Sequence, residues 1–290
     1  MNRKELYDKI KDMLEGIPDG RFDALCIFED MVCSREELAV HGDEPVSEDA
    51  CVRGINAANK RIEGYPLQYI LGRWEFYGIT LAVGEGVLIP RADTEVLVDA
   101  AIEAAGKLYR GIPLRIADLC SGSGCIAIAI AQHLGERAQV FALEYSSDAM
   151  PYLMKNITDS GENVQIIRGD VSNGHLLENF INPDDDSRPG LDMIVSNPPY
   201  LTDEEMGSLQ REVAYEPQIA LYGGTDGLKF YRVIACLWRE ALKEGGYLLF
   251  EIGDAQEEQV RRIMEDSGFT DIQGYRDGAG CVRCLAGRKA

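Results

Sequence analysis

The sequence predicts an α/β protein: a mainly parallel sheet covered by helices on both faces, preceded by a small helical bundle. Three observations carry this. From Arg3 to about Arg61 apolar residues recur at three- and four-residue steps, the period of a helix face. Beyond Pro90, strand-like runs alternate with helical stretches, the pattern of crossover-connected parallel strands. Gly64-Tyr65-Pro66 punctuates the change between them. At 290 residues the chain has room for two domains of ordinary size.

In the first segment, Leu6, Ile10 and Leu14, then Phe22, Leu25, Cys26 and Phe28, supply the apolar faces of a bundle over residues 1–72. Ser34 and Ser47 precede acidic residues as N-caps do, with carboxylates in the following turn to complement the helix dipole. Trp74–Ala82 and Val87–Ile89, separated by Gly84-Glu85-Gly86, read as a β-hairpin, which makes residues 73–90 a hairpin linker. Residues 91–290 form the sheet domain. A helix runs from Thr94 to about Leu108, and strands follow at Leu114–Leu119, Gln139–Leu143, Val164–Arg168, Asp192–Ser196 and Gly246–Ile252. Asp271–Tyr275 and Val282–Gly287 close the chain as an antiparallel pair across a glycine-rich turn.

Composition narrows the partners. Lys plus Arg number 29 against 49 Asp plus Glu, a formal charge of −20, and such a surface repels phosphate backbones. No direct nucleic-acid partner is expected. The longest apolar run, Cys125 to Ala131, is far too short to cross a bilayer, and the charged N-terminus lacks the apolar stretch of a signal peptide, so a cytoplasmic protein without a membrane partner is expected. Eight cysteines in such a chain are expected to be reduced; Cys281-x-x-Cys284 has no second pair to complete a zinc site, and no metal is expected.

The most informative stretch is Ala117-Asp118-Leu119-Cys120-Ser121-Gly122-Ser123-Gly124-Cys125, a strand that turns through glycines into an apolar helix. Glycines let the backbone pass close beneath a ligand, and the helix start offers free N–H donors. Gly122, Gly124 and Ala127, with Glu144 downstream, also fit a dinucleotide fingerprint. Asp118 separates the two readings. A carboxylate beside the turn would oppose a pyrophosphate, whereas S-adenosylmethionine has no phosphate and carries a methionyl ammonium. Glu144, ending the next strand, is placed to accept from both ribose hydroxyls, and Asp170, after the third, from the adenine amino group.

The fourth strand runs directly into Asn197-Pro198-Pro199-Tyr200. Two prolines remove two N–H donors, which frees carbonyls in this turn to face a ligand. A planar amide or aryl amine is a poor nucleophile because its lone pair is delocalised. Acceptance of one N–H by the Asn197 side-chain carbonyl and another by the Pro198 carbonyl would aim that lone pair at a sulfonium methyl, while Tyr200 covers the flat group. Methyl transfer to a planar –NH2 nitrogen is the expected chemistry.

These residues resemble the PrmC (HemK) protein-(glutamine-N5) methyltransferases. The resemblance includes Pro66-Leu67-Gln68-Tyr69-Ile70-Leu71-Gly72, Val87-Leu88-Ile89-Pro90-Arg91 followed by Thr94-Glu95, the glycine turn, Asn197-Pro198-Pro199-Tyr200, Tyr215-Glu216-Pro217, Gly223-Gly224-x-Asp226-Gly227-Leu228 and Glu251-Ile252-Gly253. It implies a Rossmann-like class I S-adenosylmethionine-dependent methyltransferase sheet behind a substrate-recognition domain, acting on the Gly-Gly-Gln glutamine of class I peptide chain release factors, as a monomer. It further implies cofactor contacts from Cys120, Ser121, Gly122, Ser123, Gly124, Glu144, Asp170, Val171 and Asn197, and substrate contacts from Asn197, Pro198, Pro199 and Tyr200. The chain departs from the family pattern in having Cys120 where glycine is common, Glu144 where Asp is usual, Ala92-Asp93 in place of Pro-Glu, and Val171 without a ring to stack on adenine. A sister enzyme acting on a ribosomal-protein glutamine, and amino-methyltransferases of DNA or RNA, are the alternatives the same turn allows.

Overall fold

The structure, a computed structural model, describes residues 1–181 and 189–290. It divides into two compact units, one of Met1–Trp74, Val83–Glu85 and Leu209–Tyr215, the other of Glu75–Ala82, Gly86–Ser208 and Glu216–Ala290. The segments Val83–Glu85 and Leu209–Tyr215 group with the first unit.

The first unit is helical: α1 (Arg3–Met13), α2 (Gly20–Met31), α3 (Arg35–His41), α4 (Glu48–Ile62) and the short α5 (Leu67–Leu71). Asn2 and Glu5 form a reciprocal capping box at the start of α1, and the hydroxyls of Ser34 and Ser47 cap α3 and α4, as their spacing predicts. Leu6, Ile10, Leu14, Ile27, Phe28 and Ala58 form its core. Beside that core Arg61 is buried and donates to Asp23 at 2.6 Å and to Glu212 at 2.6 Å. The second of these ties the 209–215 segment to this unit, and Tyr65 packs edge-on to Tyr215 as well.

The hairpin is displaced from its expected place. β1 (Arg73–Phe76) and β2 (Ile79–Ala82) pair with each other, and Val87–Ile89 forms no strand. The turn is Tyr77-Gly78, where both residues have positive φ (52° and 73°), the requirement of the hairpin turn that matches strand twist.

The second unit alternates as expected: α6 (Glu95–Leu108), β3 (Leu114–Leu119), α7 (Cys125–Leu134), β4 (Ala138–Glu144), α8 (Met150–Ser160), β5 (Val164–Arg168) and β6 (Leu191–Ser196). After β6 come the short α9 (Asp203–Met206) and α10 (Gln218–Leu221), then α11 (Lys229–Leu237), β7 (Leu242–Glu251), α12 (Glu257–Asp266), β8 (Phe269–Arg276) and β9 (Val282–Lys289). Among the described residues the sheet order is β5-β4-β3-β6-β7-β9-β8; β3 to β7 run parallel and β9 antiparallel to both its neighbours.

Neighbouring strand residues serve opposite faces. Ile116, Val140, Val195 and Leu249 join the α6–α7 side of the core, while Ala117, Phe141, Ile194 and Leu248 join the side packed by Tyr231, Ile234 and Trp238. With both faces covered, the parallel strands read as nearly continuous apolar runs. The connection order reverses between β3 and β6, and in open sheets the crevice at the strand carboxyl ends beside such a switch point is where ligands bind.

Candidate active site

β3 ends in a turn with three positive φ angles: Cys120 (64°), Gly122 (55°) and Gly124 (83°). The Ser121 N–H donates to Leu143 O at 3.0 Å, and the Gly124 N–H donates to Ser121 O at 2.8 Å, which closes the turn against β4 and aims the start of α7 into the crevice. At Gly124 the positive φ is the main demand for glycine; a Cβ there would also press on the end of the Leu153 side chain at 2.6 Å. Glu144, at the end of β4, accepts from the Gly122 N–H at 2.7 Å and the Ser146 N–H at 2.6 Å. After β5, Asp170 Oδ1 accepts from the Ser172 N–H and hydroxyl, both at 2.8 Å. Trp238, wholly buried, donates its Nε1–H to Val171 O at 2.8 Å and fixes the backbone at that point.

The Asn-Pro-Pro-Tyr turn leaves the carboxyl end of β6 directly alongside. The Ser196 hydroxyl donates to Leu119 O at 2.7 Å, tying the ends of β6 and β3 together. Asn197 Nδ2 donates to Thr94 Oγ1 at 3.3 Å, and Gln256 Nε2 donates to Tyr200 O at 3.0 Å. From the other side, Gly223 N–H donates to Leu201 O and Leu201 N–H to Leu221 O, both at 2.8 Å. Glu216, buried, clasps the approach from β2: it accepts from the Ile89 N–H at 3.0 Å and pairs with the Arg91 guanidinium.

These elements enclose a cavity of about 250 Å³. Cys120, Ser121, Gly122, Ser123, Glu144, Asp170, Val171, Asn197 and Pro199, all singled out in the sequence, line it together. Asp118, Gly124, Pro198 and Tyr200 do not; the Tyr200 side chain instead packs against the core on the Tyr231 side of the sheet. The lining also includes residues to which the sequence assigned no role, among them Leu88, Arg91, Thr94, Ile219, Lys229 and Phe230. Arg91, Thr94 and Glu216 lie in motifs that carry the resemblance, which is the signal that could have marked them.

The electrostatics are set by burial. Asp118 is fully buried, with only the Ser121 side chain and the Ala127 backbone turned toward its carboxylate and neither within good hydrogen-bond geometry. Desolvation pushes it up to about 7, and the neighbouring Glu144 charge adds to the rise. Cys120 and Cys125 line the cavity in front of it, and burial together with these carboxylates holds both thiols well above their ordinary range, so neither is a thiolate nucleophile.

A family model described as the PrmC N-terminal domain matches residues 5–72, and one described as the methyltransferase small domain matches residues 97–214. A release factor glutamine methyltransferase of Fusobacterium nucleatum is 36% identical, covering 99% of this chain and 78% of its own. One of Geobacter sulfurreducens is 39% identical over 88% of this chain and 84% of its own. Among solved structures, a methyltransferase from Pyrococcus furiosus shares the fold at a TM-score of 0.51 and 16% identity, covering 82% of this chain and 97% of that one.

Proposed function

The chain belongs to the release factor glutamine methyltransferase family, and on that premise we propose that it methylates the side-chain amide nitrogen (N5) of the glutamine in the Gly-Gly-Gln motif of class I peptide chain release factors. S-Adenosylmethionine is the methyl donor. The observation that carries this reading is that Asn197 and Pro199 line the same cavity as the glycine turn, Glu144 and Asp170.

The residues present fit the cofactor. The buried carboxylate of Asp118, behind Cys120 and Cys125, gives the cavity a negative potential suited to a sulfonium and an ammonium when it is ionised. Each oxygen of Glu144 has acceptor capacity beyond its one backbone bond, which suits the ribose hydroxyls; Asp170, lining the same cavity, would accept from the adenine amino group. When bound, S-adenosylmethionine would supply the methyl group, transferred from its sulfur to the amide nitrogen in exchange for one amide proton.

This chain's own part is positioning. The Asn197 side-chain carbonyl and the Pro198 backbone carbonyl each accept one N–H of the glutamine amide, so that the nitrogen lone pair faces the donor. Pro198 and Pro199 bring no N–H to compete for those carbonyls. The charge of −20 favours a protein substrate with basic or neutral docking surfaces over a nucleic acid. Among the described residues no helix is long and apolar enough to cross a membrane.

Asn197→Ala tests the assignment. Methyl transfer to a Gly-Gly-Gln peptide should be lost while calorimetry shows the cofactor still binding; full activity in this variant would refute it.

A further inference from the structure

Glu251, the last residue of β7, is 3% exposed and lies beneath the Asn-Pro-Pro-Tyr turn, yet the transfer step as described gives its carboxylate no task. The Thr94 hydroxyl and the Asn197 amide are the hydrogen-bonding side chains turned to it, while its Oε2 has no partner. Tyr231 donates its hydroxyl to the Glu251 backbone carbonyl at 2.9 Å, which leaves the side chain to other uses. A carboxylate this deep is unfavourable compared with an apolar residue of the same volume, so it stands here against its own desolvation.

The consequence lies in hydrogen-bond polarity. The two ends of the Asn197 amide are nearly equal in size and opposite in sense: its Oδ1 would attract a substrate N–H and its Nδ2 would repel one. Thr94, 2% exposed, cannot decide between them, because a hydroxyl both donates and accepts. An ionised carboxylate can only accept. Glu251 faces both the Thr94 hydroxyl and the Asn197 amide, and an ionised carboxylate attracts the proton-bearing end of each, so Thr94 Oγ1 is left as acceptor for Asn197 Nδ2, the bond observed at 3.3 Å, and Oδ1 is the end that remains for the substrate.

We infer that Glu251 is a positioning residue which, facing both Thr94 and the Asn197 amide, sets the polarity of this chain and so turns the Asn197 carbonyl toward the amide to be methylated. The inference deepens the function proposed above and rests on it. Burial pushes Glu251 up to about 7, with Asp93 raising it and Thr94, Asn197 and Arg283 opposing, so the device is set to weaken as the pH falls through neutrality. The other titratable groups facing it are Tyr200, Tyr231, Cys125 and Cys284. All four are protonated in that range, because burial holds each above it.

Glu251→Gln keeps the shape but can donate, so it leaves the polarity undecided. At saturating cofactor and peptide its kcat should fall at least about tenfold, the scale of one misdirected buried hydrogen bond. Cofactor affinity should stay within about twofold, thermal stability should not drop, and the acid limb of the kcat profile should disappear. A kcat within about twofold of wild type overturns the inference, and so does a loss of kcat matched by lost stability or cofactor affinity. A second readout needs no substrate: the Asn197 side-chain amide signal in nitrogen-15 NMR should move with pH in the wild type and stand still in Glu251→Gln. Identical behaviour of the two proteins would contradict the polarity mechanism. A wild type inactive on the peptide, with that NMR difference intact, would count against the proposed substrate and leave the Glu251 mechanism supported.

Discussion

Gly223 lies so close to the Asn-Pro-Pro-Tyr turn that a Cβ on it would fall 2.6 Å from the Cα of Tyr200 and 2.7 Å from the Pro199 carbonyl oxygen. Both neighbours are backbone, which cannot rotate away as a side chain can. The glycine of this Gly-Gly pair is therefore the surface against which the turn is seated, and the turn's carbonyls take their direction from it. In Gly223→Ala the turn must shift, at a cost of the order of 1–3 kcal/mol. Because the cofactor-facing residues stand on other strands, kcat should fall by about tenfold or more with cofactor affinity nearly unchanged. Initial rates and calorimetry on the same preparation check this.

Cys120 occupies the left-handed region at φ 64°, which explains why glycine suits that position. For a residue with a Cβ the conformation is disfavoured by about 1–2 kcal/mol. Removing the thiol alone does not relieve this, while removing the Cβ does. Cys120→Gly should therefore be more stable than Cys120→Ala by about 1 kcal/mol in denaturant unfolding, a gap in the opposite direction to that found in ordinary helices and strands.

Asp118 makes stability and cofactor binding depend on pH in opposite senses. Its carboxyl is raised from 3.8 to about 7 in the folded protein, so its contribution to folding is complete below the unfolded value and is lost as the pH rises through 7. Ligand-free Asp118→Asn should melt above the wild type at about pH 8, by up to a few kcal/mol, with the gap closing toward about pH 5. Cofactor affinity runs the other way. It should weaken as Asp118 takes up its proton below about pH 7, by at most about tenfold per pH unit, and Asp118→Asn should flatten that dependence. Glu251, also raised to about 7, gives the wild type a second contribution of the same sign to stability.

How much of this was legible in the sequence follows from how local each signal is. β3 and β5 span the residues expected of them: β3, in the middle of the sheet, is buried at all but one position, while β5, at its edge, is marked by Val164, Ile166 and Ile167 between polar neighbours. The glycine turn and the three acids were legible because their spacing is the spacing of the strand ends. The hairpin was misplaced for a local reason too: Gly84-Glu85-Gly86 looks like a turn, whereas the actual turn uses Tyr77, a residue type that seldom takes positive φ. Non-local packing left no such trace. Nothing near Glu212 announces that it will meet Arg61, and Thr94, Asn197 and Glu251 become one group only when β6, β7 and the start of α6 are brought together. Tyr200 shows the same limit, because its backbone carbonyl is held by Gln256 and its ring lies over Gly253, both more than fifty residues away.

The most direct test of the whole account is mass spectrometry of purified release factors and ribosomal proteins after incubation with this enzyme and labelled S-adenosylmethionine. A label and the mass increment of one methylene group are expected on the glutamine of the Gly-Gly-Gln peptide. No increment on that peptide, with one on a ribosomal-protein glutamine or on nucleic acid, would contradict it.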